Sequence, residues 1–145
     1  MQVHQILKLK HNDGVITLKP DQSISDAARL LEENRIGSVV VTEDGTTPLG
    51  ILSERDIVFA LAKQGAVCLE QKASDLMTAD PVTCTRHDRA DDILRQMTEG
   101  RFRHMPVVND KNQMVGLITQ GDVVKARLSE LSMEKEALES MIMGL

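Results

Sequence analysis

The sequence has no Trp and no Tyr, only two Phe, and aromatic side chains make up 1% of it. It therefore lacks the aromatic platforms on which single-stranded nucleic acid is usually stacked. Basic residues are not in excess either. Seventeen Lys and Arg stand against 22 Asp and Glu, a formal net charge of −5 with no basic tail, which argues against DNA, RNA or an acidic membrane surface as the main partner. The two cysteines, Cys68 and Cys84, form no CxxC pair, and His4, His11, His87 and His104 are scattered, so no metal-ligand spacing arises. No apolar run approaches the roughly 18 residues of a membrane span, and no signal-peptide pattern is present, so a soluble cytoplasmic protein is expected.

What is present suffices for one compact domain: 145 residues, 41% hydrophobic and 27% charged. With so few aromatics, its core must come from Val, Ile, Leu, Ala and the eight Met residues.

The chain is one unit written twice. A shift of 66 positions, the distance from Gly50 to Gly116, also carries Thr17 onto Thr83, Asp26 onto Asp92, Arg35 onto Arg101, Val41 onto Val107, Asp44 onto Asp110, Asp56 onto Asp122 and Val58 onto Val124, without a gap. In the first copy VITL reads as a strand. Ser23 or Ser25 then caps a helix whose apolar positions Ile24, Ala27, Ala28 and Leu31 follow helical spacing, and Gly37 is expected to end it. SVVV and LGIL, joined by the turn EDGTTP, read as a hairpin, and SERDIVFALAKQ as a second helix. The second copy gives the strand VTCT, a helix through Ala90, Ile93, Leu94 and Met97 stopped at Gly100, the strands MPVV and MVGLI around NDKN, and a helix from Gly121. Each unit is β-α-β-β-α. Together they predict an α+β fold of two small helix-covered sheets related by pseudo-two-fold symmetry.

MQVHQILKL and LEQKASDLMTADP each read as a short helix leading into the first strand of its repeat. The expected organisation is a single module over residues 1–145, with repeats at 10–64 and 76–128 and a helical extension at 129–145. In that extension Leu128, Leu131, Met133, Leu138, Met141 and Ile142 alternate with Glu and Lys, an amphipathic pattern that packs on this chain or on a partner.

The strongest local signal is the pair GILSERD and GLITQGD, each at a strand-to-helix junction where backbone N–H groups and the helix dipole favour an anion. Ser53 or Thr119 could hydrogen-bond a phosphate or ribose hydroxyl, and Asp56 or Asp122 could accept two hydrogen bonds from a ribose diol. The same spacing is also that of a capping box, and on the motif alone capping is the better reading.

The first-strand threonines, the IGSVVV and RHMPVV strands and both Gly-x-x-Ser/Thr-x-x-Asp endings resemble the cystathionine β-synthase (CBS) domain pair, or Bateman module, over residues 10–128. GRFRHMPVV followed by GDVVKAR is similar to the small stand-alone bacterial members. The resemblance implies a regulatory module that binds an adenosine-containing ligand (AMP, ADP, ATP, NAD or S-adenosylmethionine) between the repeats. It places Asp122 on a ribose, Thr119 on ribose or phosphate, and Arg103, His104 and Lys10 near phosphates. Adenine is expected against Val15, Ile16, Thr17, Gly37 and Ser38, with Met105 and Pro106 alongside. The second cleft is expected to use Ser53, Arg55, Asp56, Val82 and Thr83. Only the second copy has the pair Arg103–His104, where the first has Gly37–Ser38, so the Asp122 cleft is expected to hold phosphate more tightly. The resemblance further implies a homodimer acting on an unknown regulated protein. No nucleophile elbow, Walker loop, zincin helix or dinucleotide GxGxxG is present, so no catalytic residue and no metal is assigned. A weak nucleotide hydrolase is the enzymatic alternative, and an oligomeric scaffold with vestigial clefts the non-enzymatic one.

Overall fold

The computed structural model describes residues 1–10 and 14–144. His11 thus lies outside the described residues. The two copies fold alike. In the first, β1 (Thr17–Leu18) pairs in parallel with β2 (Ser38–Val41), which pairs antiparallel with β3 (Gly50–Ser53). Helix α2 (Ile24–Asn34) connects β1 to β2, and α3 (Glu54–Gln64) follows β3. In the second, α5 (Ala90–Gly100) precedes the antiparallel pair β5 (His104–Val108) and β6 (Met114–Thr119), and α6 (Gln120–Ile142) follows. The expected α+β class holds, and Asp56 and Asp122 occupy the same place, the third position of α3 and of α6.

Three details depart from the sequence reading. VITL narrows to the two residues of β1, and VTCT to one parallel bridge, Cys84 with Val107, the counterpart of Leu18 with Val41. Neither Gly37 nor Gly100 ends its helix by a left-handed turn. That conformation falls on the repeat-equivalent arginines, Arg35 (φ 52°) two residues before Gly37 and Arg101 (φ 57°) one after Gly100, so α5 ends at Gly100 as expected while α2 ends at Asn34, short of Gly37. The backbone N–H groups of Ile36 and Phe102 then close on the carbonyls of Leu31 and Met97, which satisfies helix-end carbonyls otherwise left open.

The leading helices also cross over. Helix α1 (Val3–Leu9) buries Val3 and Ile6 among Ile93, Met97, Met105 and Ile118 of the second copy. Helix α4 (Ala73–Leu76) buries Ala73 among Leu18, Ile24, Val39 and Leu52 of the first. The docking bonds match: Val3 N–H donates to the Asp88 carbonyl (2.9 Å), and Ala73 N–H to that of Gln22 (2.7 Å). Beyond α4, the short strand β4 (Thr78–Ala79) adds to the edge of β3. Each repeat's core is thus completed by the segment leading into the other.

This exchange explains the repeated glycine. A Cβ on Gly50 would stand 2.9 Å from the Thr78 carbonyl oxygen and against the Met77 side chain. On Gly116 it would meet only the branched end of Leu7, at 3.0–3.1 Å. The crossing segments pass too close for a side chain, most severely at Gly50.

Candidate functional site

The two Ser/Thr-x-x-Asp strings form complete capping boxes. Asp122 N–H donates to Thr119 Oγ1 (3.1 Å) while Thr119 N–H donates to Asp122 Oδ2 (2.9 Å); Ser53 and Asp56 do the same at 3.2 and 2.9 Å. The first amides of α3 and α6 are also engaged, Glu54 N–H by the Gly37 carbonyl (2.9 Å) and Gln120 N–H by the Arg103 carbonyl (2.8 Å). The helix starts are thus internally satisfied at two of their leading amides, which leaves fewer free N–H groups there for an anion.

The boxes nevertheless face cavities. The larger, of about 1100 Å³, lies between Gly14–Thr17 and Asn34–Ser38 of the first copy and Met114–Leu117, Thr119 and Asp122 of the second, with Lys10 and His104 on its wall. Lys10 Nζ donates to Asp122 Oδ2 (2.8 Å) and to the Leu117 carbonyl (2.8 Å), so the cation is seated beside the carboxylate. With Oδ2 shared by Lys10 and the cap, Oδ1 accepts no hydrogen bond among the described residues. Ser38, also in the cavity lining, is buried, and its Oγ has no hydrogen-bond partner among them. An unpaired buried hydroxyl is costly in the folded protein, and a ligand that pairs it recovers that cost.

The smaller cavity, of about 390 Å³, is lined by Ser53, Arg55, Asp56 and Val82 as expected, with Asp80, Pro81, Arg101, Phe102 and Arg103. Both volumes are of the order of small-molecule sites, roughly 300–1,000 Å³.

Lys10, Val15, Ile16, Thr17, Gly37, Ser38, His104, Thr119 and Asp122 are brought together as the sequence suggested. Arg103 is not: it lines the smaller cavity. Gly37 lines both cavities, but its counterpart 66 positions on, Arg103, lines only the Asp56 cavity; the next residue, His104, reaches both. The expected phosphate preference of the Asp122 cleft therefore loses its Arg103 support. Met105 and Pro106 are buried in β5 and line neither cavity, since that strand runs through the second copy's core. Thr83 lines neither as well. Arg35, a cation on the wall of the larger cavity, was missed. Its signal was in the sequence as the matched pair Arg35/Arg101, read only as a mark of the repeat.

Burial holds the His104 imidazole below its ordinary pKa; Arg103 and Lys10 push the same way, and Glu54 and Asp122 oppose them. The ring is thus neutral at pH 7 and offers one N–H rather than a full cation. Burial pushes the Cys84 thiol up to about 12, with Asp88 adding to the effect, which removes it as a nucleophile at neutral pH and leaves it a small apolar strand residue. Among the described residues no His, Cys, Asp or Glu cluster could hold a metal ion, and no helix is long and apolar enough to cross a membrane.

Duplicated α+β units with exchanged leading segments and two capped, carboxylate-bearing cavities define a tandem-repeat module of the Bateman class. The profile of the CBS domain matches residues 6–63 and 73–129, and the chain belongs to the CBS-domain family. A CBS-domain protein of Agrobacterium tumefaciens has a crystal structure 44% identical in sequence, covering 88% of this chain and 99% of its own, with a TM-score of 0.82. A CBS-domain protein of Pyrobaculum aerophilum, solved in complex with AMP, is 27% identical, covering 92% and 99%, with a TM-score of 0.78. A mitochondrial CBS-domain protein of Arabidopsis thaliana is 32% identical over 128 residues, 86% of this chain and 62% of the relative, so this chain spans less than two thirds of that relative's length. CBS pairs are generally regulatory modules rather than catalysts.

Proposed function

We propose that this chain is a regulatory module that takes an adenosine-containing ligand in the larger cavity and passes its presence, as a homodimer, to a partner protein. One observation carries the reading. A single cavity of about 1100 Å³ is lined by Asp122, whose Oδ1 accepts no hydrogen bond among the described residues, by Ser38, whose buried hydroxyl is unpaired among them, and by the cations of Lys10 and Arg35. A ribose diol suits the carboxylate, which accepts without donating, and the two cations suit phosphate. Adenine then lies against the backbone of Val15–Thr17 and Gly37–Ser38. The AMP held by the Pyrobaculum relative supports this ligand class, and AMP is its first candidate, ahead of ADP, ATP, NAD and S-adenosylmethionine.

The competing reading, a scaffold with vestigial clefts, draws on the capping boxes, which give Asp56 and Asp122 a structural task without any ligand. A melting-temperature screen over the five ligands and adenosine separates the two. Binding to the folded state alone at about 100 times Kd stabilises by roughly 2.7 kcal/mol and raises Tm. If none of the six raises Tm at millimolar concentration, the chain is a scaffold.

A further inference from the structure

Helix α6 outruns the module it belongs to. Val123 and Ala126 are buried, Glu130 receives the N-terminal ammonium group at 3.0 Å, and residues 131–144 are exposed throughout. The CBS match also ends at residue 129. A helical extension without tertiary contacts is marginal in water, yet this one carries a regular apolar seam. Val124, Leu128, Leu131, Lys135, Leu138 and Ile142 follow one another at alternating intervals of four and three, a heptad pattern, and all are exposed. The seam lies nearly opposite the Val123–Ala126 face that docks on the chain's own core. An intrahelical period of 3.5 keeps one stripe facing a second helix along its whole length.

We propose that the α6 extensions of two copies of this chain pair as an antiparallel two-stranded coiled coil centred at residue 133. In this register Val124 packs on the partner's Ile142, Leu128 on the partner's Leu138, and Leu131 on the partner's Lys135, whose aliphatic stem covers the leucine while its ammonium reaches the rim. The flanking charges select the direction. Antiparallel pairing sets Lys125 beside the partner's Glu139, twice by symmetry. It brings the two Glu134 side chains together once, between the two Lys135 ammonium groups. Parallel pairing sets Glu134 beside the partner's Glu139 twice and stacks Lys135 on the partner's Lys135 inside the seam. The proposal is independent of what the clefts bind.

The test is oxidative cross-linking of the full chain carrying Leu128→Cys and Leu138→Cys together. Both positions are well exposed (63% and 59%), so the fold tolerates the change. They lie ten residues apart on one helix, about 15 Å, beyond the roughly 7 Å limit for a disulfide within one chain. Native Cys68 and Cys84 are buried and serve as the wild-type control. The expected result is conversion of most of the protein to a covalent dimer whose digest contains the 128–138 disulfide between chains. A digest containing 128–128 and 138–138 disulfides instead, or no covalent dimer at tens of micromolar, overturns the proposal.

Discussion

Asp122 carries two tasks with two oxygens. Oδ2 closes the cap of α6 and holds Lys10, and Oδ1, in a residue that lines the cavity, has no hydrogen bond among the described residues. Asp56 has the cap but no comparable cation on its carboxylate among the described residues. Ser38 presents the opposite case, a hydroxyl with no structural partner among them. Removing an unpaired buried hydroxyl costs the folded state nothing, so Ser38→Ala is expected to leave Tm unchanged or raised. If the ligand pairs that hydroxyl, the same change weakens AMP binding by about 0.5–1.5 kcal/mol. Paired melting curves and titrations check both halves. His104 gives a pH dependence. Its folded pKa lies below the unfolded value near 6.5, so the unfolded chain takes up the proton first and stability falls as pH drops below about 6.5 toward the folded pKa. Melting curves between pH 7.5 and 5 are expected to show a shallower decline for His104→Gln than for the wild type; identical slopes would remove His104 as the cause.

At the scale of elements, the repeat and its caps were legible because they are local. Ser23 caps α2 through the Asp26 amide (3.1 Å), and both Ser/Thr-x-x-Asp strings close as boxes, as their spacing allowed. The end of α2 falls short of Gly37 because its left-handed turn sits on Arg35, a residue type that seldom signals one, whereas α5 ends at Gly100 with the equivalent turn on Arg101. The assignment of Arg103 failed for a non-local reason. Which strand entry faces which capped helix depends on how the repeats pack, and a single copy's pattern does not hold that information. The crossing of α1 and α4 was equally hidden, although the repeated glycine was its trace. Gly50→Ala is expected to destabilise by about 1–3 kcal/mol, the range for overpacking against atoms that cannot yield, here the Thr78 carbonyl. Gly116→Ala meets only the end of Leu7 and is expected to cost less. Urea unfolding of both variants orders them, and equal losses would show that the crossing segment near Gly50 yields as readily as a leucine tip.

At the scale of the whole molecule, two nearly equivalent halves enclose unequal cavities. The larger has Lys10 seated on its carboxylate and Ser38 unpaired; the smaller is lined by Arg55, Arg101 and Arg103. A ligand in the larger cavity touches β1 and β2 of one copy and β6 and α6 of the other, so its binding bears directly on how the copies sit together. The central claim is that Asp122 holds this ligand as well as capping its helix. The most direct measurement is calorimetric titration of AMP into the wild type, Asp122→Ala and Asp56→Ala, beside their melting curves. Both variants lose a cap and are expected to melt lower, by about 1 kcal/mol of stability. Asp122→Ala is expected to weaken the wild type's saturable AMP binding by about 1.5–3 kcal/mol, roughly tenfold to more than a hundredfold, while Asp56→Ala retains it. AMP binding left unchanged by Asp122→Ala, or weakened equally by Asp56→Ala, would contradict the claim.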